Sequence, residues 1–250
     1  NMTDVVAQIT IRAALEAGHT DLKLTGELSK TGIGGNWGTF INNKKITKCD
    51  LTGVTDWGRT PTLPDAAFSN CTALQEVTLP DDMKVIGTGA FFGCAALTTV
   101  NLSQVTWINL NAFWGCISLE TLALDNVTAI GQEAFYGCTG LETLKIPKCT
   151  EFGTYIVSGC RSLTRIEATA AGNFVDISDG RSSIERTAVF HNRDSHYGDS
   201  AFNPAKCDLV LNADKKQGGN ATPKVFSDNE WLMMPNGQLM RWNSITFAQQ

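Results

Sequence analysis

Residues 66–168 repeat themselves, and the repeat dictates what the chain can become. The first copy reads Ala67-Phe68-x-x-Cys71-x-x-Leu74-x-x-Val77-x-Leu79, followed by a short tail holding Val85, Ile86 and Gly87. The unit returns at Ala90-Phe91-x-x-Cys94, Ala112-Phe113-x-x-Cys116 and Ala134-Phe135-x-x-Cys138, each with the same apolar spacing behind it. A degraded fifth copy runs Ile156-Val157-x-x-Cys160-x-x-Leu163-x-x-Ile166-x-Ala168. Successive cysteines lie 23, 22, 22 and 22 residues apart. A constant period with the same residue types in phase is the mark of a solenoid.

The spacing also says what each copy does. The last two apolar residues of Leu-x-x-Val-x-Leu are two apart and point to one side of a strand. The residues between them (Thr78, Asn101, Ala123, Lys145 and Glu167) point to solvent. One such strand cannot bury its apolar side alone, whereas a parallel stack shares ladders of Phe, Cys, Leu and Val. A fully buried Leu or Phe contributes roughly 1.5–3 kcal/mol, so the stack holds without disulfides.

This pattern, closed by an Ile-Gly or Phe-Gly pair, resembles the BspA-like (Treponema-type) leucine-rich repeat family. A weaker match at Ala201, Phe202, Cys207, Leu209 and Leu211 is similar to the closing repeat of such proteins. The resemblance implies an α/β, β-rich leucine-rich repeat solenoid. It also implies a bacterial surface or secreted binding protein rather than an enzyme, lipid-anchored before processing in one variant of that reading.

We expect one domain over residues 1–250. Within it, 1–20 form an N-terminal helical cap, 21–65 irregular first rungs, 66–168 the regular repeats, 169–206 an irregular loop segment and 207–250 a C-terminal β cap. Residues 4–17 fit an amphipathic helix with Val5, Val6, Ile9, Ala13 and Leu15 on one side, stopped by Gly18. Leu22-Lys23-Leu24 reads as a first strand, Ile46-x-x-Cys49-x-Leu51 as an imperfect rung, and Ser244–Phe247 as a terminal strand. The chain begins at Asn1 rather than methionine, so a leader removed in processing is expected.

Composition excludes some classes of function. The net charge is −5 and the pI about 5.2, with no basic run longer than Lys44-Lys45. Nucleic acid needs a basic face and is not an expected partner. No stretch approaches the roughly 18 apolar residues that span a bilayer.

The chemistry-bearing residues are few. The five repeat cysteines recur on parallel rungs about 4.8 Å apart, whereas a disulfide needs Cβ atoms near 3.8 Å and turned toward each other. Buried free thiols are therefore expected, for Cys49, Cys149 and Cys207 as well, and no zinc site. The run Thr31–Gly38 breaks the G-x-G-x-x-G register at Trp37 and reads as a glycine-rich turn. His191, Asp194, Ser195 and His196 are the one cluster mixing base, acid and hydroxyl, but neighbours on a loop rarely face one another. Asp176-x-x-Asp179-Gly180 lacks the alternation and terminal glutamate of a calcium loop. No catalytic residue, metal or cofactor is expected.

Two surfaces suit binding. The first is the outward strand face, with Glu76, Thr78, Thr99, Asn101, Thr121, Thr143, Lys145 and Arg165 as candidate contacts for a protein or glycan. The same polar columns are what any soluble solenoid shows, and a scaffold role in a larger complex is the alternative. The second is an aromatic strip, Phe92, Trp114 and Tyr136, one residue after each repeat phenylalanine. Those rings are available either for packing or for an apolar ligand.

Overall fold

The structure is a computed structural model that describes residues 11–27, 40–55, 57–169, 202–212, 230–233 and 239–248. In chain order the strands are β1 (Asp21–Glu27), β2 (Lys48–Thr55), β3 (Thr62–Leu63), β4 (Glu76–Thr78) and β5 (Val85–Ile86). Then come β6 (Thr99–Val100), β7 (Trp107–Ile108), β8 (Thr121–Ala123), β9 (Ala129–Ile130), β10 (Thr143–Lys145) and β11 (Glu151–Phe152). The last are β12 (Arg165–Glu167), β13 (Asp208–Asn212), β14 (Glu230–Met233), β15 (Leu239–Arg241) and β16 (Ser244–Ala248).

Each repeat supplies two strands, not the single one expected. Leu-x-x-Val-x-Leu forms β4, β6, β8, β10 and β12, while the tail forms β5, β7, β9 and β11 in a second parallel sheet ordered β3-β5-β7-β9-β11. The tail is too short for its period of two to show in the sequence. Its inward residues Leu63, Ile86, Ile108 and Ile130 are buried, and Thr62, Val85, Trp107, Ala129 and Glu151 form the outward column in register.

The Ala-Phe segment makes the third side of each coil. Its backbone also bonds rung to rung: Phe68 N–H donates to Ala90 O (2.7 Å), Phe91 to Ala112 (2.8 Å) and Phe113 to Ala134 (2.8 Å). It is a turn rather than a strand because left-handed residues flank it. Ala66, Gly89, Asn111, Glu133 and Tyr155 precede it at φ between +54° and +59°. Asn42, Asn70, Gly93, Gly115, Gly137 and Gly159 follow the phenylalanine position two residues later at φ between +57° and +76°. Gly and Asn tolerate that region best, which explains the glycine or asparagine that stands just before the cysteine position.

Inside the coil the phenylalanines stack, at centroid distances of 5.1 Å (Phe40–Phe68), 5.6 Å (Phe68–Phe91), 5.1 Å (Phe91–Phe113) and 5.7 Å (Phe113–Phe135). Phe40 belongs to an additional copy in phase, Thr39-Phe40-x-x-Asn43-x-x-Ile46-x-x-Cys49-x-Leu51. Only its second half stands out in the sequence, because Asn43 stands where the cysteine belongs. Cys49 pairs with Val77 across β2 and β4, the position its spacing predicted.

At the N-terminal end, residues 11–16 are helical; the rest of the expected 4–17 helix, apart from Ala17, lies outside the described residues. Ile11 and Leu15, four apart, are the buried pair, while Ala13, expected inward, is exposed. Gly18 ends the helix at φ +92°, with Gly18 N–H bonded to Leu15 O and His19 N–H to Ala14 O. That pair of bonds is a Schellman close. Strand β1 includes the expected Leu22–Leu24 and pairs in parallel with β2. Strand β16 covers the expected Ser244–Phe247, pairs with β13, and β13 pairs with β12.

Candidate functional site

The cysteines are structural. All eight are buried and unpaired. Each repeat thiol donates to the phenylalanine carbonyl of the rung before: Cys71 to Phe40 (2.8 Å), Cys94 to Phe68 (3.0 Å), Cys116 to Phe91 (3.1 Å), Cys138 to Phe113 (3.0 Å) and Cys160 to Phe135 (3.1 Å). Those carbonyls already accept the N–H three residues on, as Cys71 N–H does to Phe68 O. The thiol satisfies the second lone pair of a buried oxygen. Desolvation pushes Cys71 and Cys138 up to about 12, and raises Cys94, Cys116 and Cys160 well above the ordinary thiol value. A thiol so held is inert.

The chemistry considered on the loops lies elsewhere. Thr31–Gly38, Asp176–Gly180 and His191–His196 fall outside the described residues. Among the described residues, no group of three or more His, Cys, Asp or Glu could hold a metal ion.

The first-sheet face carries the candidate columns, and its charged members are occupied by their own ion pairs. Glu76 meets Lys48 at 3.0 Å, Lys145 meets Asp125 at 3.5 Å, and Arg165 meets Glu167 at 2.7 Å. Asn101 does not stand free in its column. It is half-buried, accepting from Leu79 N–H at 2.6 Å and donating Nδ2–H to Leu79 O at 2.9 Å. Exposed pairs of this kind stabilise by about 0–1 kcal/mol, so they organise the surface more than they hold the fold. The centre of the face is different. Thr99 and Thr121 are exposed and Thr143 half-exposed, and among the described residues their hydroxyls have no hydrogen-bond partner.

At that centre the sheet is interrupted, contrary to the continuous face expected from the period. One parallel sheet runs β1-β2-β4-β6 and another β16-β13-β12-β10-β8, with no pairing between β6 and β8. On the neighbouring rungs, Thr98 and Thr99 N–H donate to Gln75 O, and Glu142 and Thr143 N–H to Glu120 O. The equivalent bonds from Glu120 and Thr121 to Thr98 O are missing among the described residues. Val100, at the gap, is half-buried where Val77 and Leu144 are fully buried. The second sheet continues across the same junction through β7 and β9.

The aromatic strip is brought together, but face to face. Phe92 and Trp114 stack at 4.5 Å with planes 6° apart, and Trp114 and Tyr136 at 5.3 Å with planes 2° apart. Tyr136 is buried and the other two half-buried. Stacking consumes the ring faces an aromatic ligand would need. The exposed apolar residues lie outside both of the surfaces expected from the sequence. Among the described residues these are Trp107 (51%) and Leu110 (40%) in the tail of one copy and Ile117 (48%) just after the cysteine of the next. For Trp107 the only signal is a large apolar residue in a column that otherwise holds Thr62, Val85, Ala129 and Glu151.

The BspA type leucine rich repeat region (6 copies) matches residues 39–179, which takes in the copy that begins at Thr39. No curated protein matches the chain. Among solved structures it is similar to the T. pallidum leucine rich repeat protein TpLRR, at 22% identity over 60% of this chain and 59% of that one, with a TM-score of 0.41. It is also similar to a leucine-rich repeat protein from Bacteroides ovatus (24%, 60% and 37%, TM-score 0.48). A third is a leucine rich cell surface protein from Faecalibacterium prausnitzii (25%, 58% and 48%, TM-score 0.39). The chain thus covers from 37% to 59% of the length of these proteins. With a family match over more than half its length and its thiol, phenylalanine and glycine ladders in phase, the chain belongs to the BspA-type leucine-rich repeat family.

Proposed function

We propose that the chain is a non-enzymatic, surface-displayed or secreted binding protein whose first-sheet face takes an extended protein segment or a glycan. The observation that carries this reading is the centre of that face. Thr99, Thr121 and Thr143 offer uncommitted hydroxyls beside two strands, β6 and β8, whose facing edges are unpaired. A hydroxyl both donates and accepts, so an extended ligand laid across the face can bond on three successive rungs. The charged side chains of the face are held in pairs, Lys48–Glu76, Lys145–Asp125 and Arg165–Glu167, and leave the threonine column to a ligand. Membership of a family whose repeats present regular faces supports the same reading. Among the described residues no helix is long and apolar enough to cross a membrane.

The test is a protein and glycan array probed with wild type and two triple variants, Thr99/Thr121/Thr143→Lys and Phe92/Trp114/Tyr136→Ser. Loss of a wild-type hit in the first, with the fold intact, is the expected result. Loss only in the second moves the site to the aromatic side. A scaffold role would leave the array without a hit that either variant weakens.

A further inference from the structure

The outward face of the second sheet has a chemistry the first lacks. Its column runs Thr62, Val85, Trp107, Ala129 and Glu151 in register, so a half-exposed indole stands between a valine and an alanine. Leu110, also exposed, borders it at the following turn. Lys84 lies beside Val85 at one end, half-exposed, its ammonium 3.5 Å from Gln104 O; Glu151 is exposed at the other. A contiguous apolar patch rimmed by charge marks an interaction surface. What this one fits follows from its own order along the stack.

We propose that a second copy of this chain packs here, the two sheets face to face about a two-fold axis parallel to the strands and running between β7 and β9. A two-fold interface must be self-complementary. This axis reverses the rung order and keeps the position along the strand. Trp107 of each copy then falls on Ala129 of the other, a large side chain over a small one. Val85 and its neighbour Lys84, one rung from Trp107, fall opposite Glu151, one rung from Ala129, so unlike charges meet at both ends. No other placement of the axis along this column satisfies both pairings: centring it on Trp107 would set the two indoles against each other. The strip is only five short strands long, about 4.8 Å apart, which puts the contact at the small, transient end of interface sizes. The dimer is therefore concentration-dependent, and it leaves the first-sheet face open.

Sedimentation velocity of the full chain across a wide micromolar range tests this. Wild type should shift from monomer to dimer, and Trp107→Glu should weaken the association at least tenfold with an unchanged circular dichroism spectrum. Lys84→Glu and Glu151→Lys should each weaken it, and the double exchange Lys84→Glu/Glu151→Lys should restore it, since only a Lys84–Glu151 pairing between copies predicts recovery. A monomer at every concentration would overturn the proposal, including the case in which Trp107→Glu instead abolishes a hit from the array. A dimer indifferent to Trp107→Glu, or a double exchange that stays as weak as the single ones, would overturn it equally.

Discussion

The Cys116 thiol donates to the carbonyl oxygen of Phe91 on the preceding rung, 3.1 Å away. That bond explains why the repeat keeps cysteine where a plain hydrophobe of similar size would fill the space. It also explains the exception. Asn43 opens the first described copy, and its Oδ1 instead accepts from Lys45 and Ile46 N–H within its own rung.

The buried thiols give the fold an alkaline limit. Their folded values are raised, with Cys71, Cys138, Cys149 and Cys207 near 12 against an ordinary 9.0. The unfolded chain therefore sheds these protons first. Stability from this source is complete below pH about 9 and is lost as pH rises toward 12. Thermal melts between these limits should show a steadily falling Tm. Thiol labelling at pH 8 should modify none of the eight cysteines in the native protein and all of them in denaturant without reductant. Labelling of native Cys94 or Cys116 would contradict the ladder.

An acid limit sits at the first strand pair. Asp50 is lowered to about 2, first by the Thr52 hydroxyl, then by Thr52 N–H and by Lys23 at 2.9 Å. A depressed carboxyl contributes stability above its unfolded value, near 4, that is lost as pH falls toward 2. Amide protection in β1 and β2 should fall across this window ahead of the central rungs. Asp50→Asn should remove that pH dependence.

Glycine at the end of the tail is set by crowding rather than by φ. A Cβ on Gly131 would lie 2.5 Å from Leu110 N and 2.6 Å from Asn109 C. Gly131→Ala should therefore destabilise by about 2–3 kcal/mol, as overpacking against a fixed backbone does. Gly89→Ala makes the control. Its Cβ meets nothing nearer than Phe92 Cβ at 3.7 Å, and Ala66 already holds the same place at φ +54°. That change should cost about 1 kcal/mol, the ordinary left-handed penalty. Denaturant titration of the two variants reads the difference.

The period made the architecture legible, since Phe, Cys and Leu are each required once per rung by packing. Residues whose role is rung-to-rung were less legible. The left-handed column carries no common signal, because Ala66, Glu133 and Tyr155 share a conformation and no side-chain property. The second sheet hid in two-residue strands such as Ala129–Ile130. Asn101 looked like a member of a polar column, although its amide takes both backbone groups of Leu79. The candidate threonines were visible as a column, whereas the missing pairing beside them is a property of two backbones and leaves no mark in the composition.

The interruption between β6 and β8 sets the threonine centre apart from the rest of the first-sheet face, and amide hydrogen exchange measures it directly. In the free protein the amides of Glu120 and Thr121 should exchange fast, while those of Thr98, Thr99, Glu142 and Thr143, bonded to the rung before, stay protected. Protection of Glu120 and Thr121 equal to that of Glu142 and Thr143 would mean a continuous sheet, and would contradict the account.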